Sequence, residues 1–121
     1  DMKIPIQYAI TYPKRLKSPA PRLSLTDCAS LTFDKPDYET FEALSACKKA
    51  IELGGLYPCA VNCANEQAVK LFLEDKIKFY QIGSLVSSAL EYKNYSGEYT
   101  LSDVLNTDKE IREFIKEKVS I

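Results

Sequence analysis

Three polar side chains stand out as groups that could do chemistry. They are Asn62, Asn65 and Glu66, within the stretch LYPCAVNCANEQAVKLF that runs from Leu56 to Phe72. Asn62 and Glu66 lie four residues apart, which places them on one face of a helix, with Asn65 beside them. Asparagine is only a moderate helix former, so two of them in one helix call for a cause other than propensity. Two amides and a carboxylate could hold a ligand or a metal ion. They could also tie this helix to neighbouring backbone, because a sequestered amide is stable only when its hydrogen bonds are met. Most side-chain hydrogen bonds go to backbone or water, so the fastening role is the preferred reading.

Other chemistry is sparse. The cysteines are Cys28, Cys47, Cys59 and Cys63, and the last two share a helix face. The chain has no histidine and no CxxC pair, so zinc spacing is absent and no Ser-His or Cys-His relay can form. A chain of this size and apolar content does not need disulfide staples, and the cysteines read as small buried hydrophobes in a reducing compartment. Its four glycines are too scattered to cradle a phosphate. Glu110, Glu113 and Glu117 read as a solvated helix face. Taken alone, the residues compose no catalytic constellation.

The bulk properties fit one ordinary globular domain: 121 residues, 45% hydrophobic and 27% charged. With 16 basic and 17 acidic side chains the net charge is -1, and no strong field favours nucleic acid or an anionic membrane. Tyr and Phe do not interleave with basic runs, which argues against RNA-binding modules. No apolar run approaches the roughly 20 residues that span a bilayer. The N-terminus lacks signal-peptide character, and its direct entry into an amphipathic segment looks like the middle of a longer polypeptide.

The elements that must position these residues follow from periodicity and breakers. Ile4, Tyr8 and Ile10 suggest a short helix begun near Pro5 and stopped by Pro13. From Pro13 to Pro36 proline and basic residues replace helical period, which predicts an extended linker. Within it Ser30-Leu31-Thr32-Phe33 alternates like one short strand, whose partner would lie outside this chain. Asp37 then caps a helix with an apolar stripe of Phe41, Leu44, Cys47 and Ile51, beside Ala43, Ala46 and Ala50. Gly54 and Gly55 close that helix.

The Leu56–Phe72 stretch is the second helix, burying Val61, Ala64, Ala68, Leu71 and Phe72. A third carries Ile82, Leu85, Val86, Ala89 and Leu90. Tyr92 to Tyr99 is a polar loop, whose Asn94-Tyr95-Ser96 sequon is read as chance. Thr100-x-x-Asp103 opens a short turn, and Thr107-x-x-Glu110 is a capping box for a terminal helix lined by Ile111, Phe114, Ile115 and Val119. The fold class predicted is mainly α: a small four-helix bundle preceded by a Pro-rich extended linker with one short strand.

Several motifs together carry a family likeness. DMKIPIQYAITYP, then SLTF with KPD just after it, then GG followed by NCANEQAVKLFLEDKIKF and an IGSLV helix, resemble the C-terminal part of 1-deoxy-D-xylulose 5-phosphate reductoisomerases. The likeness covers essentially all 121 residues in the same order. Two positions depart from the family pattern: Cys63 stands where alanine is usual, and Glu42 where proline often follows an aromatic.

The resemblance implies a homodimeric enzyme of the bacterial cytoplasm that converts 1-deoxyxylulose 5-phosphate to 2-C-methylerythritol 4-phosphate in isoprenoid biosynthesis. Its cofactors would be NADPH and a divalent metal, Mg or Mn. By the same likeness, residues 1–12 would be the tail of the catalytic domain, 13–36 the linker and 37–121 the C-terminal helical bundle domain. The metal acids, phosphate ligands and glycine-rich loop lie upstream, so this segment alone would bind no cofactor and be inactive. Only Met2 matches a position near the nicotinamide. Asn62, Asn65 and Glu66 would then be interdomain fastenings of a segment that braces the catalytic domain. The alternative is an independent helical protein-interaction module with the same trio as its partner-facing patch. Neither reading calls for nucleic acid or a membrane.

Overall fold

A computed structural model describes residues 1–119, which form six helices and, among the described residues, no strand. The expected mainly helical class therefore holds. Residues 120 and 121, the end of the predicted bundle, lie outside the described residues. The chain divides into two compact units, Asp1–Lys35 and a second that starts at Pro36.

The first unit is held by polar contacts rather than by a core. Helix α1, Lys3–Thr11, buries none of its residues. The Thr11 hydroxyl lies 3.0 Å from the carbonyl oxygen of Gln7 and 2.8 Å from that of Lys14. Gln7 Nε2 donates to the Lys17 carbonyl at 2.9 Å, folding the chain back along α1. The Arg15 guanidinium sits 4.3 Å from the centre of the Tyr8 ring. The connector is not extended throughout. A short helix α2, Leu25–Cys28, interrupts it, with the Ser24 hydroxyl accepting from the Asp27 N–H at 3.3 Å. The alternating residues 30–33 form no strand. Alternation fits a side-chain pattern to a sheet, but a strand needs a paired neighbour, and the described chain offers none.

The second unit is built on four helices: α3, Glu42–Leu53; α4, Tyr57–Leu73; α5, Phe79–Ser88; and α6, Leu101–Val119. Helix α4 packs against α3, α5 and α6, and α3 also packs against α5. Sequence explains this centrality. Pro58 sits in the first turn, where its missing N–H costs nothing, and small residues on two faces let neighbours come close. Ala60, Cys63, Ala64 and Ala68 meet Ile111 and Ile115 of α6 in one cluster. Val61 meets Ala46, Ala50 and Val86 in a second. Burying one isoleucine of this kind contributes about 2 kcal/mol.

Two expectations about these helices are corrected. The predicted large stripe of α3 does not face the core: Phe41, Leu44, Cys47 and Ile51 are all exposed, Ile51 at 74%. The inward face is Ala46 and Ala50, because α3 lies against α4 and α5 too closely for larger side chains. A β-carbon added to Gly83 of α5 would stand 3.1 Å from Glu42 Cβ, another sign of that close approach. Asp37 does accept from the N–H groups of Glu39 and Thr40, at 3.1 and 3.0 Å, but it organises a turn that precedes Glu42.

The second correction concerns Thr107, which caps nothing. It lies inside α6, only 1% exposed. The helix starts at the earlier signal, where Asp103 Oδ2 accepts from the Thr100 N–H at 2.8 Å and the Thr100 hydroxyl accepts from the Asp103 N–H at 3.3 Å. No glycine or proline follows to interrupt it.

Gly54 and Gly55 do end α3, with φ of +69 and +53. Gly55 has a second task. The Tyr95 carbonyl crosses directly above it to accept from the Leu56 N–H at 2.9 Å. A β-carbon on Gly55 would lie 2.1 Å from that oxygen. Tyr95 itself, in the loop read as polar, is a core residue at 3% exposure, with its ring edge-on to Tyr57.

Candidate functional site

The predicted polar trio lies on α4 and reaches toward α6. Asn62 Nδ2 donates to Glu66 Oε1 at 3.3 Å, as their spacing requires. Glu66 Oε2 accepts from Arg112 Nη2 at 2.5 Å. Arg112 Nε donates to Asp108 Oδ1 at 2.8 Å, and the Cys63 thiol donates to the same oxygen at 3.0 Å. The result is a continuous chain of polar contacts, Asn62–Glu66–Arg112–Asp108–Cys63, that clamps two helices together.

The electrostatics follow from these partners. The Arg112 hydrogen bond, followed by that of Asn62, holds the Glu66 carboxyl below its ordinary value. Asp108 is lowered first by the Cys63 thiol and then by Arg112. Burial pushes the Cys63 thiol upward, and the neighbouring Asp108 adds to the effect. A buried, protonated thiol is a poor nucleophile, and two carboxylates paired with one guanidinium are poor general bases. The Glu66 carboxylate is exposed and screened by water, so its pairing with Arg112 adds little to stability on its own. The arrangement is suited to holding helices in register rather than to turnover.

Asn62 and Glu66 are thus brought together, whereas Asn65 is half-buried and makes no side-chain hydrogen bond to another described residue. Met2 is 70% exposed, in the first unit. Among the cysteines only Cys63 is buried as expected. Cys59 is half-buried, Cys28 and Cys47 are exposed, and all four are free thiols. An apolar period does not distinguish a cysteine that packs from one that faces outward.

Arg112 and Asp108 escaped the sequence reading, although their opposite charges at i, i+4 were a usable signal. Among the described residues no three His, Cys, Asp or Glu side chains converge as a metal site. No helix among them is long and apolar enough to cross a membrane.

Three helices around one central helix, joined by a polar clamp without a reactive group, define a helical bundle domain. The model of the DXP reductoisomerase C-terminal domain matches residues 1–114. A 1-deoxy-D-xylulose 5-phosphate reductoisomerase of Clostridium botulinum is 46% identical over 121 residues, covering all of this chain and 31% of the relative. One from Clostridium perfringens is 44% identical over 118 residues, covering 98% of this chain and 31% of the relative.

Solved structures agree. The Zymomonas mobilis enzyme in complex with NADPH superposes with a TM-score of 0.87 at 36% identity, over 100% of this chain and 32% of that one. A DOX-P reductoisomerase in complex with magnesium also gives 0.87 at 36% identity, over 99% of this chain and 32% of its own. The chain belongs to the DXP reductoisomerase C-terminal domain family. It spans 31% of the length of these curated relatives.

Proposed function

We propose that this chain is the C-terminal portion of an NADPH-dependent 1-deoxyxylulose 5-phosphate reductoisomerase and that its own role is to brace the catalytic domain. One observation carries the reading: the whole chain, all 121 residues, matches such an enzyme at 46% identity. On this reading the product is 2-C-methylerythritol 4-phosphate, and the enzyme works as a homodimer in the bacterial cytoplasm. Residues 1–12 are the tail of the catalytic domain, 13–36 the linker and 37–121 the bundle domain. The division between compact units at Lys35 and Pro36 supports the second boundary.

The chain's own residues do not suit NADPH or a divalent metal as a complete site. The glycines at 54, 55, 83 and 97 form no loop that could cradle phosphates, and the described acids form no metal cluster. Met2 fits as one apolar wall beside the nicotinamide, since its thioether is open rather than packed in a core. Both cofactors would be held by upstream segments. Asn62, Asn65 and Glu66 serve as fastenings, with Asn65 the member whose amide has no partner among the described residues.

The test is NADPH oxidation with 1-deoxyxylulose 5-phosphate, followed spectrophotometrically. The polypeptide that includes the upstream segments should turn over, and the 121-residue chain should not. Turnover by the chain alone would overturn the bracing role.

A further inference from the structure

Cys59 and Cys63 are both free thiols on one face of α4, with sulfurs 3.9 Å apart. Geometry limits what can bridge them. Helix residues at i, i+4 keep their β-carbons about 5–6 Å apart. A disulfide needs about 3.5–4.5 Å between β-carbons and about 2.05 Å between sulfurs, so closing one here would distort the helix. A single larger atom bonded to both sulfurs meets no such obstacle. With bonds of about 2.3 Å, the length of a zinc thiolate bond, two sulfurs stand about 3.8 Å apart on a tetrahedral centre and about 3.5 Å apart at the narrower angle, about 100°, of a three-coordinate pyramidal one. Both are close to the separation already present.

The number of donors then selects the ligand. A structural zinc ion needs four ligands, and the described residues supply no cluster of even three. Trivalent arsenic bearing one organic group is complete with two sulfurs. We propose that Cys59 and Cys63 are a dithiol chelating site for trivalent arsenicals, entered from the half-exposed Cys59.

The reaction is a condensation. An arsine oxide, R–As=O, gives up its oxygen as water using the two thiol protons. Two As–S bonds form, and arsenic stays trivalent. The product is neutral, which suits a buried position better than a thiolate would. Cys63 no longer donates to Asp108, while Arg112 continues to.

The test uses the full chain with phenylarsine oxide, read by intact mass and thiol titration. One adduct per chain should form with loss of two thiols. It should survive excess glutathione and be removed by 2,3-dimercaptopropanol. Cys59→Ser and Cys63→Ala should each abolish the glutathione-resistant adduct, whereas Cys28→Ser and Cys47→Ser should retain it. Cys63 is buried among Ala60, Ala64 and Ala68, so alanine there keeps an apolar core and the comparison stays valid where a buried serine hydroxyl would impair folding. Removal of the wild-type adduct by glutathione, or its persistence in Cys59→Ser, would overturn the proposal.

Discussion

Arg112 Nη2 on α6 stands 2.5 Å from Glu66 Oε2 on α4, a contact that spans 46 positions of sequence. Because Arg112 also holds Asp108 at 2.8 Å, one guanidinium serves two carboxylates on two helices. Both acids are therefore easier to ionise in the folded chain than in the unfolded one.

This fixes the sign of the acid dependence. Glu66 and Asp108 lie below their ordinary values of 4.5 and 3.8, so their contribution is complete above those values. It is lost as pH falls through the lower, folded values. The melting temperature should stay level from neutral pH to about 5 and then decline. Glu66→Gln combined with Asp108→Asn should make that decline shallower. It should not remove it, because Asp37, Glu74 and Asp103 are lowered by their own partners. An identical acid limb in the double variant, measured by calorimetry, would show that the clamp has no linkage.

Gly55 offers a sharper test of the packing. Its φ of +53 alone would cost an alanine about 1–3 kcal/mol, and the Tyr95 carbonyl stands where the new β-carbon would go. Gly97 also has a positive φ, +103, but nothing lies within 4 Å of its added β-carbon. Gly55→Ala should thus lower the urea midpoint clearly more than Gly97→Ala, with the slope unchanged. Equal shifts would mean that the Leu56–Tyr95 crossing can relax at little cost.

Tyr95 carries the one buried side-chain oxygen among the described residues that lacks a hydrogen-bond partner. Burial accordingly pushes its phenol upward. Removing that hydroxyl should remove a desolvation penalty, while the ring keeps its edge-on contact with Tyr57 at 5.3 Å. Tyr95→Phe is expected to stabilise the chain by about 1 kcal/mol. A loss of stability in denaturant titration would instead mean that water satisfies the hydroxyl.

What could be read from sequence divides along physical lines. Helix α4 was legible because its buried residues recur at helical spacing, and α5 because Ile82, Leu85 and Val86, which pack on the core, do the same. Helix α3 was legible as a helix but not in its orientation. Leu44 and Ile51 make the more apolar stripe, yet Ala46 and Ala50 face the core, since close helix packing selects small residues over hydrophobic ones. The clamp was half legible. Asn62 and Glu66 announce themselves by local spacing, but pairing with Arg112 depends on how α6 lies against α4, which local spacing does not encode. Tyr95 was missed for a similar reason: its neighbours in sequence are polar, and its burial comes from Gly55 and Tyr57.

Asn65 separates a local role from a fastening role. Its side chain bonds to no described residue, so within the isolated chain its replacement by alanine removes no such contact. Alanine is the better helix former, by a few tenths of a kcal/mol, and the isolated chain should melt at the same temperature or slightly higher. On the proposed bracing role, the amide in the longer polypeptide would bond to an upstream domain, each bond contributing about 1 kcal/mol net. Asn65→Ala should therefore lower the full-length melting temperature while leaving that of the chain unchanged. The comparison is made by scanning calorimetry on both proteins under one buffer. Matching shifts in the two would show that Asn65 acts only within α4 and that the bundle is fastened by other groups.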